Sequence, residues 1–245
     1  MTLTISIEAA GRTHVGLVRR CNEDSFYMGQ SLYAVADGLG GHVAGDVASK
    51  TVIEALRLHD GYVDPSDLVA VLGAAVNQAN RALRDRIKAQ PELAGMGTTL
   101  VAVLCSGTAA VLANVGDSRV YLLRERGAHS AATVQITEDH TFLHLVADAA
   151  NIPDLPGKLA RFLDGRADGR SPDLSPRELT VGDRFLLCSD GLSSYVPHDQ
   201  IHAALTSTST ADMAADRLVA LALEHGGPDN VTVIVLDVHE YQEQR

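Results

Sequence analysis

Apolar positions along the 245 residues fall into two rhythms. Residues 2–7 alternate apolar and polar with the period of a half-buried strand. Residues 32–36, 98–104, 109–115, 120–123, 134–136, 184–188 and 231–238 are short apolar runs, most of them rich in β-branched residues. Such runs predict strands covered on both faces. Elsewhere the period is helical. Over 45–58, Val47, Val52, Ile53 and Leu56 share one stripe. From Ser66, read as an N-cap, Leu68, Val69, Leu72, Val76, Ala79, Leu83 and Ile87 recur at three and four residues until Pro91 stops the pattern. Residues 137–150, 198–205 and 210–225 predict further helices. Residues 19–25 read as a loop, and 151–175 collect Pro, Gly, Asp and Arg into a long irregular segment.

The order is strands, two helices, strands, insertion, strand, two helices, strand. Short hairpin links make antiparallel sheets, and helices that come in pairs argue against a doubly wound parallel sheet. The expected fold is α+β, a four-layer αββα sandwich of two mostly antiparallel sheets flanked by pairs of helices. Residues 1–245 form one domain in this reading, with a flap or insertion at about 138–176. The uncharged stretch 93–116 is long enough to span a bilayer. Ser106-Gly107-Thr108 breaks it in the middle, so it predicts a buried hairpin instead.

Composition narrows the function. Acidic residues outnumber Lys and Arg 31 to 20, a net charge of −11. That excludes a nucleic-acid binder and a polybasic membrane surface, both of which need basic faces. Cys21, Cys105 and Cys188 are odd in number and widely spaced. They read as reduced thiols of a cytoplasmic protein rather than a disulfide framework or zinc ribbon. No basic-then-apolar leader is apparent at the N-terminus. Arginine exceeds lysine 17 to 3, a compositional hint of a GC-rich bacterial genome.

Several aspartates stand where an apolar strand stops or starts: Asp37, Asp117 and Asp190 after runs, Asp229 before one. Each alone is a common turn residue. Together they could converge on one sheet rim, where mutual repulsion raises their pKa values unless cations intervene. All-oxygen ligands suit Mg²⁺ or Mn²⁺, and the lack of a His or Cys pair disfavours zinc.

Six segments then carry a resemblance. Gly16-Leu17-Val18-Arg19-Arg20-Cys21-Asn22-Glu23-Asp24-Ser25, Ala36-Asp37-Gly38-Leu39-Gly40-Gly41-His42, Gly95-Met96-Gly97-Thr98-Thr99, Asn114-Val115-Gly116-Asp117-Ser118-Arg119, Leu187-Cys188-Ser189-Asp190-Gly191-Leu192 and Gly227-Pro228-Asp229-Asn230-Val231-Thr232 occur in family order. The set resembles the PP2C-like metal-dependent protein phosphatases (the PPM family), in their bacterial branch. The resemblance implies hydrolysis of phosphoserine and phosphothreonine with two Mn²⁺ or Mg²⁺ ions and a possible third, weaker site. Asp37 would bridge both ions and the Gly38 carbonyl would bind one. Asp190 and Asp229 would hold the other, Asp117 with Asp190 the third. Glu23 and Asp24 would join the cluster through water. Arg19 would bind phosphate with paired N–H donors, Arg20 being the alternative if the register slips by one. The ions would acidify a water that attacks phosphorus. Implied partners are phosphoproteins, among them a bacterial Ser/Thr kinase, acted on by a monomer.

Two features depart from the family. Leu39 stands where some relatives place a His that protonates the leaving oxygen, and His42, three residues on, reads as structural. The flap carries Arg161, Arg166 and Arg170 with Asp164, Asp168 and Asp173 in place of a His-Pro middle, which predicts a mobile flap with altered substrate selection. Two other readings remain open on sequence: a phosphoprotein-binding module with weak activity, and a phosphatase for phosphotyrosine or another phosphorylated regulator.

Overall fold

In a computed structural model, which describes residues 5–39, 44–126, 129–145, 158–166 and 171–241, the apolar runs pair into two sheets. The first has the order β1 (Ile5–His14), β11 (Val231–Glu240), β10 (Arg184–Cys188), β7 (Arg119–Arg126), β8 (His129–Gln135). The second has the order β2 (Asp24–Met28), β3 (Leu32–Leu39), β5 (Leu100–Ser106), β6 (Ala109–Val115), β9 (Asp173–Glu178), with the two-residue β4 (Gly97–Thr98) beside the end of β3. Every pairing is antiparallel.

Side chains alternate across each strand, so each sheet buries two faces. Val35, Val101, Val103 and Leu112 of one sheet meet Phe185, Leu187, Ile234 and Leu236 of the other between the layers. Their neighbours Ala34, Ala36, Ala102 and Leu104 turn outward onto Val52, Leu72, Val76 and Leu83 of α1 (Gly45–Leu56) and α2 (Leu68–Ala89). Leu186, Cys188, Val233 and Val235 turn onto α5 (His198–Ser207) and α6 (Ala211–Glu224) through Ile201, Leu205 and Leu218. This is the expected αββα order. Each large apolar side chain so buried contributes about 1.5–3 kcal/mol. It also explains the uncharged stretch: β5 is buried along its whole length, and Gly107-Thr108 make its turn to β6. No helix among the described residues is long and apolar enough to cross a membrane.

Several elements differ from the sequence reading. β1 continues to His14, beyond the expected strand. β2 lies partly where a loop was expected, and β9 where an irregular segment was. β9 is an exposed edge strand with Pro176 opposite Val111; a proline-bearing, charged edge carries no apolar signal. Ser66 is not the N-cap of α2. That position is Asp67, and the Ser66 hydroxyl and amide both donate to Asp64 Oδ1, at 2.6 and 2.9 Å. Two short helices, α3 (Phe142–Leu145) and α4 (Asp190–Ser193), and 3-10 turns at Arg57–His59 and Pro91–Leu93 complete the described elements. Residues 137–141, expected to open a helix, are not helical, because Thr137 Oγ1 accepts from the Val120 amide and the His140 amide donates to the Gly116 carbonyl. Residues 146–150, the central flap with Asp168 and Arg170, and Gly40, Gly41 and His42 lie outside the described residues.

Candidate active site

The two sheets bring five strand ends to one rim. Asp24 opens β2 directly opposite Asp37 near the end of β3. Asp117 follows β6, Asp190 follows β10, and Asp229 precedes β11. Backbone approach there is tight. A Cβ on Gly38 would lie 2.1 Å from the Gly45 carbonyl oxygen, and one on Gly191 would lie 1.8 Å from that of Asn230. Only glycine lets these turns close.

The carboxyls press on one another. Burial first, then Asp190 and Asp229, push Asp24 up to about 6, against hydrogen bonds from Thr232 and Ser189. The Ser189 hydroxyl donates to Asp24 Oδ2 at 2.7 Å, while the buried Oδ1 has no partner. Asp117 is pushed up to about 7 by burial and by Asp190. Burial, with the charges of Asp24, Asp190 and Asp117, holds Asp37 well above the usual carboxylate range, and its carboxyl bonds to that of Asp190. Asp190 is raised by its own burial and by Asp229, opposed by the bond to Asp37. Two facing carboxyls can bond only by sharing a proton.

Arg19 reaches the rim from the loop after β1 and ion-pairs with Asp229 at 2.7 Å; this bond raises the guanidinium pKa. Its neighbour Arg20 is exposed and has no ion pair among the described residues. Glu23 comes close through its backbone: its carbonyl accepts from Ser49 Oγ at 2.6 Å and Gly38 N at 3.2 Å. Its carboxyl lies against Gly45 at the start of α1. All eight site residues singled out in the sequence therefore lie on or beside this rim.

Sequence reasoning missed the supports. Asn230 holds the Arg19 loop: its side-chain amide donates to the carbonyls of Val15 and Cys21 at 2.9 and 3.0 Å, and its Oδ1 accepts from Glu23 N at 2.8 Å. The Asp37 amide donates to Thr99 Oγ1 at 3.1 Å, which bonds to Ser118 Oγ at 2.7 Å. Thr98 Oγ1 donates to the Asp37 carbonyl at 2.8 Å. Behind Asp117, Arg119 is held bidentately by Asp139, at 3.0 Å to one oxygen and 2.7 Å to the other. Only the Thr98-Thr99 and Asp229-Asn230 pairs gave a signal, as short polar interruptions beside apolar runs.

The donor chemistry fits hard divalent cations: several carboxylates, no thiolate, and a buried carboxylate oxygen without a partner. Among the described residues no three His, Cys, Asp or Glu side chains stand as a ready set of ligands.

Comparison with known proteins agrees with this chemistry. Residues 12–145 match the family described as Protein phosphatase 2C. The chain is 44% identical over 246 residues to the serine/threonine protein phosphatase PstP of Mycobacterium tuberculosis strain H37Rv, covering 98% of this chain and 46% of that protein. It thus spans about half the length of that relative. The serine/threonine phosphatase stp of Listeria monocytogenes strain EGD-e is 33% identical, over 94% of this chain and 96% of its own. A crystal structure of the PstP catalytic domain with two manganese ions superposes with a TM-score of 0.87 at 45% identity, covering 97% of this chain and all of that one.

Proposed function

The chain belongs to the protein phosphatase 2C family, and from that premise we propose that it is a metal-dependent protein serine/threonine phosphatase. It is one catalytic domain over residues 1–245 that hydrolyses phosphoserine and phosphothreonine and opposes a bacterial Ser/Thr kinase. The observation that carries this reading is the gathering of Asp24, Asp37, Asp117 and Asp190 at one rim, each with its carboxyl raised by burial and by its neighbours. Such a cluster is expensive unless cations occupy it.

Asp37, the Gly38 carbonyl, Asp190 and Asp229 would hold two Mn²⁺ or Mg²⁺ ions. Asp117 with Asp190 would hold a third, weaker one, and Glu23 and Asp24 would act from behind through water. When bound, the ions supply charge neutralisation and acidification of water at neutral pH. Arg19 gives up Asp229 and offers its paired N–H donors to the phosphate oxygens, a geometry that Lys does not reproduce. Asn230 fixes the loop that carries Arg19, so it sets where the phosphate sits. Leu39 gives the leaving oxygen no proton.

The protein is read as a cytoplasmic monomer acting on phosphoproteins. Its three free cysteines support that compartment.

The test is hydrolysis of p-nitrophenyl phosphate and a phosphothreonine peptide. Activity is expected with Mn²⁺ and is expected to vanish with EDTA. Full activity without metal overturns the reading. No activity with any divalent ion would leave a phosphoprotein-binding module.

A further inference from the structure

One face of α2 carries Asn77, Asn80, Arg81 and Arg84, spaced so that they form a single stripe. Residues 158–166 cross that stripe. Gly165 N donates to Asn80 Oδ1 at 2.8 Å, and Asn80 Nδ2 donates to the Arg166 carbonyl at 2.6 Å. Gly165 has φ +80°, and a Cβ there would stand 2.8 Å from Arg84 Cα. The segment is therefore pinned to the helix at Gly165. The cleft beside it, of about 190 Å³, is lined by Arg81, Arg84 and Arg166 with Asn77 and Ser171.

Three arginines in one cleft are unexpected in a chain of net charge −11. Arg166 is paired with Asp164 at 2.8 Å, and Arg84 only loosely with Asp85 at 3.6 Å. Arg84 Nε is buried with no hydrogen-bond partner, its nearest carboxylate oxygen, on Asp85, being 3.6 Å away. Arg81 has no ion pair among the described residues. A buried donor without an acceptor is a rare and costly state. Guanidinium groups select planar or tetrahedral oxyanions.

The cleft also lies within reach of the aspartate rim. Leu163 exchanges both backbone hydrogen bonds with Thr98, each 2.9 Å, and the Thr98 hydroxyl donates to the Asp37 carbonyl. Two strand spacings and, at right angles to them, two further residues place the cleft roughly 12 Å from Asp37. An extended peptide covers that distance in about four residues.

We propose that the cleft between α2 and residues 158–166 binds a second phosphate on the same substrate chain, three to five residues from the phosphoresidue that is hydrolysed. The proposal rests on the phosphatase reading and adds the substrate class: multiply phosphorylated segments. A carboxylate side chain is the weaker occupant.

The test is equilibrium binding to the Mn²⁺-loaded chain by fluorescence anisotropy. Labelled peptides carry a phosphonate analogue of phosphoserine at one position, with or without a second analogue three, four or five residues to either side. The second group is expected to tighten Kd about tenfold at one or two spacings, as a charge-assisted pair does. Arg81→Gln with Arg84→Gln should erase that preference. Arg81→Gln alone, an exposed change that leaves the Gly165 contact intact, should reduce it. Inorganic phosphate should compete only far above the peptide concentration; equal competition would assign the cleft to free phosphate and overturn the proposal. Equal binding of single and double peptides at all spacings would also overturn it, as would a preference that survives in both variants. Hydrolysis of p-nitrophenyl phosphate by the wild-type chain is measured separately. Its absence would remove the phosphatase reading while the binding comparison still decides the cleft.

Discussion

The two ends of β3 hold carboxylates under opposite conditions. At its start, Asp60 accepts from the amides of Gln30, Ser31 and Leu32, the Ser31 hydroxyl and the Tyr27 phenol, all within 2.9–3.1 Å. Partial burial works against ionisation there, but these donors outweigh it and hold the carboxyl below its ordinary value. The same rim pairs buried Asp237 with Arg184, at 2.7 Å between Oδ2 and one guanidinium nitrogen. Asp183 is likewise paired with Arg124. At the other end of β3, Asp37, Asp24, Asp117 and Asp190 face each other with too few donors, and every one is pushed up. The residue type is the same in the two places; the supply of donors differs. One rim is satisfied by the chain itself and serves stability. The other is left short and costs stability, as expected where charge is arranged for a ligand.

The sharpest way to break this contrast is to delete one member from each rim. Asp37→Ala or Asp190→Ala should lower Mn²⁺-dependent p-nitrophenyl phosphate hydrolysis by 100-fold or more, on the scale of removing a principal electrostatic contributor. In EDTA, Asp37→Asn should melt a few degrees higher than wild type, since about 1 kcal/mol of relieved repulsion shifts a chain of this size by that much. A lower melting temperature would mean that the rim is structural after all.

Next in size is Asp237→Ala, which strands the buried Arg184 guanidinium. It should cost about 3–5 kcal/mol in urea unfolding while the folded fraction keeps its turnover. Asp60→Asn should cost about 1–3 kcal/mol. Its effect should depend on pH in a fixed sense. The folded-state pKa is depressed, so the stabilisation is complete above the unfolded carboxylate value near 3.9. It fades as pH falls through the lower folded value. Urea midpoints of wild type and variant should therefore converge below about pH 4, and a constant gap would contradict the hydrogen-bond account. Smallest is Arg20→Ala, which should change kcat/KM for p-nitrophenyl phosphate less than twofold, because Arg20 is exposed and has no ion pair among the described residues. A large loss would move the phosphate-binding role from Arg19 to Arg20.

Much of the sandwich could be read from the chain because its central strands are buried on both faces. Leu100–Cys105 and Val233–Leu236 left uninterrupted apolar runs, and the stripe from Leu68 to Leu83 declared α2. Asp37, Asp117, Asp190 and Asp229 were legible for the same reason, since each marks where a run stops or starts; Asp24 was not, and came only with the resemblance. The edge strands β2 and β9 of the second sheet were not. β2 begins with polar Asp24 and Ser25, and β9 carries Pro176 and charges, so neither has a buried face long enough to impose a period. The supports were hidden for a different reason. Asn230, Ser189 and Thr99 act on residues remote in sequence, and a single polar residue beside a turn says nothing about its partner. The arginine cleft joins α2 to a segment about 80 residues later, which no local pattern encodes.

The pairing of β1 with β11 has a consequence in time. Ile5–His14 waits for Val231–Glu240, and the loop carrying Arg19 is tied to Asn230 and Asp229, more than 200 residues downstream. Closing such a loop is slow and comes late in folding. On the ribosome, where chains emerge from the N-terminus first, a nascent chain that has not yet extruded Val231 has neither the anchored Arg19 loop nor Asp229 in place. The aspartate rim is therefore finished only once Val231–Glu240 has emerged and paired, and on the proposed reading a shorter nascent chain has no phosphatase activity.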